Sequence, residues 1–194
     1  MNVALPLILA SSSPRRSDLL RELGVDFEVQ TSPADEIQPE HLSPQEICQI
    51  NAHRKADAVA QRNPHAWVLG ADTLVFLDHQ IFGKPKDLSQ AHDMLTALQG
   101  KVHHVITGVC LLNLAQRKRK VFSDTTSVRF RSLKDADIDA YHALIQPLDK
   151  AGAYAIQDHG DRIVESIVGS HSNVVGLPLE RLKLAFDELG IPPN

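Results

Sequence analysis

The sequence predicts a mixed α/β fold, on three observations. Amphipathic helical stripes alternate with short apolar or alternating strands, tight turns join several strand pairs, and 43% of residues are apolar, enough to fill a substantial core. The hairpins argue against a purely parallel doubly wound sheet. No repeat, low-complexity stretch or linker interrupts the 194 residues, so residues 1–194 are expected to form one domain.

The elements follow in chain order. Residues 7–10 read as a strand that stops at Ser11-Ser12-Ser13-Pro14, with Ser13 as N-cap and Pro14 in the first helical position. Leu19, Leu20 and Leu23 supply that helix's apolar stripe and Gly24 closes it. Phe27, Val29 and Thr31 alternate as in a second strand. Ser43-Pro44-Gln45-Glu46 satisfies the capping-box pattern and opens a helix to about residue 60, with Ile47, Ile50 and Ala58 inward, broken by Asn63-Pro64.

Trp67–Leu77 reads as a strand, Asp78-His79 as a turn, and Gln80–Phe82 as the short return strand. Ser89 is expected to cap a helix with Ala91, Met94, Leu95 and Leu98 inward, ended by Gly100. Residues 102–114 form a long strand, 117–120 a solvated basic turn, and 121–130 its antiparallel partner. Ser132 opens a helix carrying Ile138, Tyr141, Leu144 and Ile145; strands are expected near 153–157 and 162–167, and Leu179–Leu189 forms the last helix.

Composition narrows the function. A net charge of −4 with only 20 Lys and Arg argues against a general nucleic-acid surface. Two cysteines, Cys48 and Cys110, cannot build a secreted disulfide framework and read as buried free thiols. The apolar opening, residues 1–10, lacks the basic start of a signal peptide, and no stretch approaches the roughly 20 apolar residues of a membrane span. The protein is therefore expected to be soluble and cytoplasmic.

Two constellations could carry chemistry. A strand running into Ser11-Ser12-Ser13-Pro14-Arg15-Arg16 puts free helix N–H groups beside two permanently charged guanidinium groups, a pattern suited to phosphate oxygens and equally compatible with an ordinary capped helix. Asp72 interrupts an apolar strand, where it either satisfies backbone donors or serves as a base or metal ligand. Lys84, Lys150, Lys55 and the Asp35-Glu36 pair carry little signal alone. No phosphate-loop, dinucleotide or zinc pattern is present, His103 and His104 alternate across a strand, and Ser170-His171 lacks a nucleophile-elbow context.

Taken together and in order, the motifs resemble the Maf family of nucleotide pyrophosphatases. The matching stretches are Leu-Ile-Leu-Ala-Ser-Ser-Ser-Pro-Arg-Arg at 7–16, Asp35-Glu36, Lys55-Ala56, Gly-Ala-Asp-Thr at 70–73, Gly-Lys-Pro at 83–85, and Met94-Leu95 with Leu98-Gln99-Gly100. Thr107-Gly108-Val109, Asp-Lys-Ala-Gly-Ala-Tyr at 149–154 and Val-Val-Gly-Leu-Pro-Leu at 174–179 complete them. The resemblance implies a two-lobed Maf/ITPase-like α/β fold, with a central elongated mixed sheet flanked by helices, a cleft between the lobes, and frequent homodimers.

It also implies Mg²⁺- or Mn²⁺-dependent attack of water at the α-phosphorus of a nucleoside triphosphate. Carried over by position, Ser11, Ser13, Arg15 and Arg16 hold the triphosphate, Lys55 and Lys84 neutralise charge, Asp72 activates water, and Glu36 joins Asp72 in holding the metal. Thr73 and Gln157 match the branch that resembles dTTP and UTP pyrophosphatases, whereas a 7-methyl-GTP branch tends to replace both. A Gln amide donates and accepts together, as a pyrimidine's carbonyl and imide edge requires. Gln146 departs from the acid common before Pro147, and Ala155 from a common Gly. The alternatives are a nucleotide-binding regulator of division and septum formation, and a nucleic-acid binder using residues 117–120 and the Arg15-Arg16 pair.

Overall fold

A computed structural model describes residues 6–192; the first five residues of the apolar opening lie outside the described set. The strands are β1 (Leu7–Leu9), β2 (Phe27–Val29), β3 (Trp67–Leu77), β4 (Gln80–Phe82), β5 (Val102–Asn113), β6 (Lys118–Phe130) and β7 (Val164–Val168). The helices are α1 (Pro14–Glu22), α2 (Pro44–Ala60), α3 (Leu88–Leu98), α4 (Asp135–His142), α5 (His171–Val175) and α6 (Leu179–Leu189). Short 3₁₀ turns occupy Pro147–Asp149, Ala151–Ala153 and Gly160–Arg162.

The sheet is mixed, as expected. Its order is β2-β1-β3-β5-β6-β7, with β4 paired on β3. β1 runs parallel to both β2 and β3, while β3·β4 and β6·β7 are antiparallel.

The chain divides into two compact units. Of the described residues, the first comprises 6–72, 107–124 and 176–192. Its core is built largely from small side chains: Ala52, Ala56, Val59 and Ala60 of α2 pack with Ile8, Val68, Cys110 and Leu112. The second comprises residues 73–106 and 125–175. Here Leu95, Leu98, Phe130, Ile138, Tyr141, Tyr154 and Ile163 fill a larger-grained core.

Local chemistry explains most boundaries. Ser43 accepts from the Glu46 N–H while the Glu46 carboxylate accepts from Ser43 N–H at 2.8 Å, so α2 starts at its capping box. β3, β4 and α6 have the bounds expected from the sequence. The α3 cap is Asp87 rather than Ser89, because the Asp87 carboxylate takes the Gln90 N–H at 2.8 Å. Likewise α4 starts after Lys134, not at Ser132, with the Asp137 carboxylate accepting from the Lys134 N–H at 2.9 Å.

Other expectations are corrected. β6 begins at Lys118, so most of the basic 117–120 segment is strand and only Arg117, at φ 53°, belongs to the turn. Val29 is exposed and Phe27 half-buried, so β2 buries no full face. In α2 the inward set is Ile47, Cys48, Asn51, Ala52, Ala56, Val59 and Ala60; Ile50 and Ala58 are only half-buried. No strand forms at 153–157, because Gly152 (φ 69°) and Ala153 (φ 61°) turn the chain left-handed in succession. Among the described residues, no helix is long and apolar enough to cross a membrane.

Candidate active site

The site begins with an absence of side chain. Gly70 and Asp72 lie two residues apart on β3 and so share a face of the sheet. A Cβ on Gly70 would fall 2.2 Å from the Ala52 carbonyl oxygen and 2.8 Å from the Ala56 nitrogen. Gly108 on β5 makes the same allowance, since its Cβ would lie 2.3 Å from the Cys48 carbonyl carbon. The α2 backbone therefore rests on the strands, and Asn51 and Lys55, one helical turn apart on one face, reach Asp72.

Asp72 is only 3% exposed, and each of its oxygens has a donor. Lys55 Nζ donates to Oδ1 at 2.7 Å, and Asn51 Nδ2 donates to Oδ2 at 3.1 Å. The same ammonium donates to Glu36 Oε1 at 2.6 Å. Two carboxylates thus share one lysine, and the trio carries a surplus negative charge. A buried aspartate with these donors has the partners that burial requires.

Around the start of α1 the serine-arginine segment is held by its own contacts. Ser13 adopts N-cap backbone geometry, but its side chain does not cap; its N–H instead donates to Ser11 Oγ at 3.2 Å. Arg16 Nη1 donates to the same hydroxyl at 3.2 Å, and its Nε donates to the Gly176 carbonyl at 2.9 Å. Burial pushes the Arg16 guanidinium's pKa down, opposed by the carboxylates of Asp72 and Glu36. It remains a cation at neutral pH. Arg15 is half-buried on the first turn of α1.

The remaining sequence candidates belong to the second unit. Thr73 follows Asp72 on β3 and is half-buried, Lys84 is exposed after β4, and Gln157 is exposed and donates to the Asp158 carboxylate at 3.2 Å. The loops around Lys84 and Lys150 are tied by the Gly152 N–H, which donates to the Gly83 carbonyl at 3.0 Å. Lys150 is buried, with Nζ donating to the Gln146 carbonyl and the Asp149 carboxylate at 2.7 Å each. That acceptor at 146 is backbone, so the Gln146 side chain costs Lys150 nothing there. Ala155 uses both backbone groups on the Tyr141 hydroxyl, which accepts its N–H at 3.0 Å and donates to its carbonyl at 2.9 Å.

Sequence reasoning missed Asn51. Its signal was a polar residue four positions after Ile47 and four before Lys55, on the inward face. Cys48 and Cys110 are buried free thiols, as expected, and burial pushes the Cys110 pKa up to about 12. Ser170 and His171 stand at the start of α5, and the Ser170 hydroxyl hydrogen-bonds Ser172 at 2.9 Å rather than forming a nucleophile pair.

A buried carboxylate bridged by lysine to a second carboxylate, with the charge of an α1 arginine acting on both, makes a class of polar site able to engage a cation and phosphate oxygens. Comparison with known proteins makes this specific. The family profile described as "Maf-like protein" matches residues 6–189, and the chain belongs to the Maf family. A dTTP/UTP pyrophosphatase of Pelotomaculum thermopropionicum is 46% identical over 184 residues, 95% of this chain and 96% of that protein. The dTTP/UTP pyrophosphatase of Salinibacter ruber is 47% identical, covering 94% of this chain and 90% of its own. Among solved structures, the Staphylococcus aureus Ham1 protein superposes with a TM-score of 0.52 at 18% identity, over 95% of this chain and 99% of that one, a likeness of fold alone.

Proposed function

We infer that this protein is a nucleoside triphosphate pyrophosphatase acting on dTTP and UTP, releasing the nucleoside monophosphate and pyrophosphate. The observation that carries the reading is near full-length likeness to several proteins of that name, joined to the Glu36–Lys55–Asp72 cluster.

The chemistry follows from the groups at hand. Arg15, Arg16, the Ser11 and Ser13 hydroxyls and the α1 N–H groups bind the triphosphate. Asp72 accepts a proton from water as the water oxygen attacks the α-phosphorus. The bond from that phosphorus to the α,β-bridging oxygen breaks, and pyrophosphate leaves. Lys55 and Lys84 offset the charge that builds on the phosphate oxygens.

The donor set suits a hard divalent cation. Glu36 and Asp72 offer a pair of carboxylate oxygens gathered at Lys55, and Mg²⁺ is commonly held by one or two carboxylates with water and substrate phosphates completing its shell. Bound there, Mg²⁺ or Mn²⁺ would supply further neutralisation of the triphosphate. Thr73 and Gln157 read the base edge, which favours a pyrimidine over 7-methyl-GTP. The cytoplasm and a homodimer belong to the same reading, the latter checked by sedimentation.

The test is pyrophosphate release from dTTP, UTP, CTP, GTP and 7-methyl-GTP with Mg²⁺ or Mn²⁺. Selective turnover of dTTP and UTP is the expected result. Selective turnover of 7-methyl-GTP would overturn the base assignment, and silence from folded protein would overturn the enzyme.

A further inference from the structure

Asn51 is 2% exposed in the middle of α2, where the other buried side chains, Ile47, Cys48, Ala52, Ala56, Val59 and Ala60, are all apolar. A buried amide there must be fully occupied to be tolerated. It is. Oδ1 accepts the Ile37 N–H at 2.9 Å, while Nδ2 donates to the Ile37 carbonyl at 3.0 Å and to Asp72 Oδ2 at 3.1 Å. The reverse amide orientation would set its oxygen against a carbonyl and a carboxylate and its NH₂ against an N–H, so the network itself fixes the assignment.

These bonds have a geometric consequence. Two of them copy a strand-like pair onto the backbone of residue 37, which directly follows Glu36. The third engages the Asp72 oxygen that Lys55 does not reach. One side chain therefore fixes the rotation of the Asp72 carboxyl and the approach of the Glu36 segment to α2. Lys55 links the two carboxylates by charge; Asn51 links their supports by directional bonds.

We propose that Asn51 is a positioning residue for hydrolysis, an amide clamp that aims Asp72 and holds the Glu36 segment in register with it. The proposal rests on the pyrophosphatase reading for its kinetic consequences, though the clamp itself does not. Supporting groups of this kind commonly govern about 10–100-fold in activity or metal affinity. A polar residue that merely fills the core would govern stability instead.

The experiment is a double-mutant cycle on the full chain with UTP and Mn²⁺, joined to amide hydrogen exchange at Ile37. Asn51→Leu keeps side-chain size; Asn51→Ala, in an already alanine-rich helix, serves if Leu prevents folding. The expected result is a kcat loss of about 10–100-fold with KM within about 3-fold, and that loss shrinks below about 3-fold in an Asp72→Asn background. Ile37 exchange should accelerate in the same variant. An equal fractional loss in both backgrounds, unchanged kcat in folded variant, or unchanged Ile37 exchange would overturn the proposal. Silence of the unmodified protein toward every triphosphate would instead sink the pyrophosphatase reading, and Ile37 exchange would still decide the clamp.

Discussion

The Lys55 ammonium lies 2.7 Å from Asp72 and 2.6 Å from Glu36, so one cation on α2 holds together carboxylates contributed by a strand and by a loop. The lysine side chain is 14% exposed and Asp72's 5%, whereas Glu36's is 52% exposed. The Asp72 side of the bridge is therefore the desolvated one, and the Glu36 side is open to solvent.

Lys55→Met should leave two neighbouring carboxylates without their shared cation. Stripping one partner from a buried pair costs about 3–5 kcal/mol, and solvent at Glu36 reduces this to about 1–3 kcal/mol here. Urea unfolding with and without Mn²⁺ checks it, since the divalent ion should return part of the lost stability to the variant. A variant as stable as the parent, and indifferent to Mn²⁺, would remove Lys55 from this role.

Asp72→Asn keeps shape and burial while removing the proton acceptor. Turnover should fall by about 10²–10⁴ with the fold intact, the usual range for losing a general base. Steady-state pyrophosphate release, paired with circular dichroism, makes the comparison; undiminished turnover would take Asp72 out of the chemistry.

Gly70→Ala puts a methyl where the Ala52 carbonyl stands 2.2 Å away, and backbone cannot swing aside as a side-chain tip can. Overpacking of this sort typically costs about 1–3 kcal/mol or more, and moving α2 would also withdraw Asn51 and Lys55 from Asp72. Thermal unfolding and turnover should both drop. A stable variant that has lost activity would isolate the positional effect.

Legibility in the sequence varied with the kind of force involved. β3, β4 and α6 were readable because a near-continuous apolar run, the Asp78-His79 turn and an amphipathic stripe are local signals. The α3 and α4 starts were misplaced because several residues could cap, and only the bonds from Gln90 to Asp87 and from Lys134 to Asp137 decide between them. The 153–157 segment looked like a strand because nothing in its composition reveals that Ala153, a non-glycine residue, would turn left-handed.

The site shows the same division. Asp72 stood out as an acid inside an apolar strand, and the Ser11–Arg16 segment as a helix start. Glu36 and Lys55 carried no signal of their own and rested on resemblance; the structure brings them together with Asp72. Asn51 was hidden because its partners, Ile37 and Asp72, are 14 and 21 residues away in sequence.

A separate prediction concerns acid stability. His103 is fully buried, with Nε2 2.9 Å from the Tyr154 hydroxyl, and burial pushes its pKa from 6.5 to about 3. Below pH 6.5 the unfolded chain therefore takes up a proton that the folded chain refuses. The contribution is complete above pH 6.5 and is lost as pH falls toward 3, at up to about 1.4 kcal/mol per pH unit within that window. Burial depresses His142 as well, with the same sign. Urea unfolding at pH 7, 6, 5 and 4 should show this slope, and His103→Gln should flatten it; parallel slopes would assign the acid sensitivity elsewhere.

The bond from Arg16 Nε to the Gly176 carbonyl spans 160 residues of sequence. During synthesis the arginine emerges long before its acceptor. Strands β1 and β3 can pair as soon as both have left the ribosome, but this one bond to the guanidinium must wait for the segment leading into α6. A nascent chain that stops short of Gly176 therefore carries every residue of the Glu36–Lys55–Asp72 cluster while Arg16 lacks this long-range acceptor.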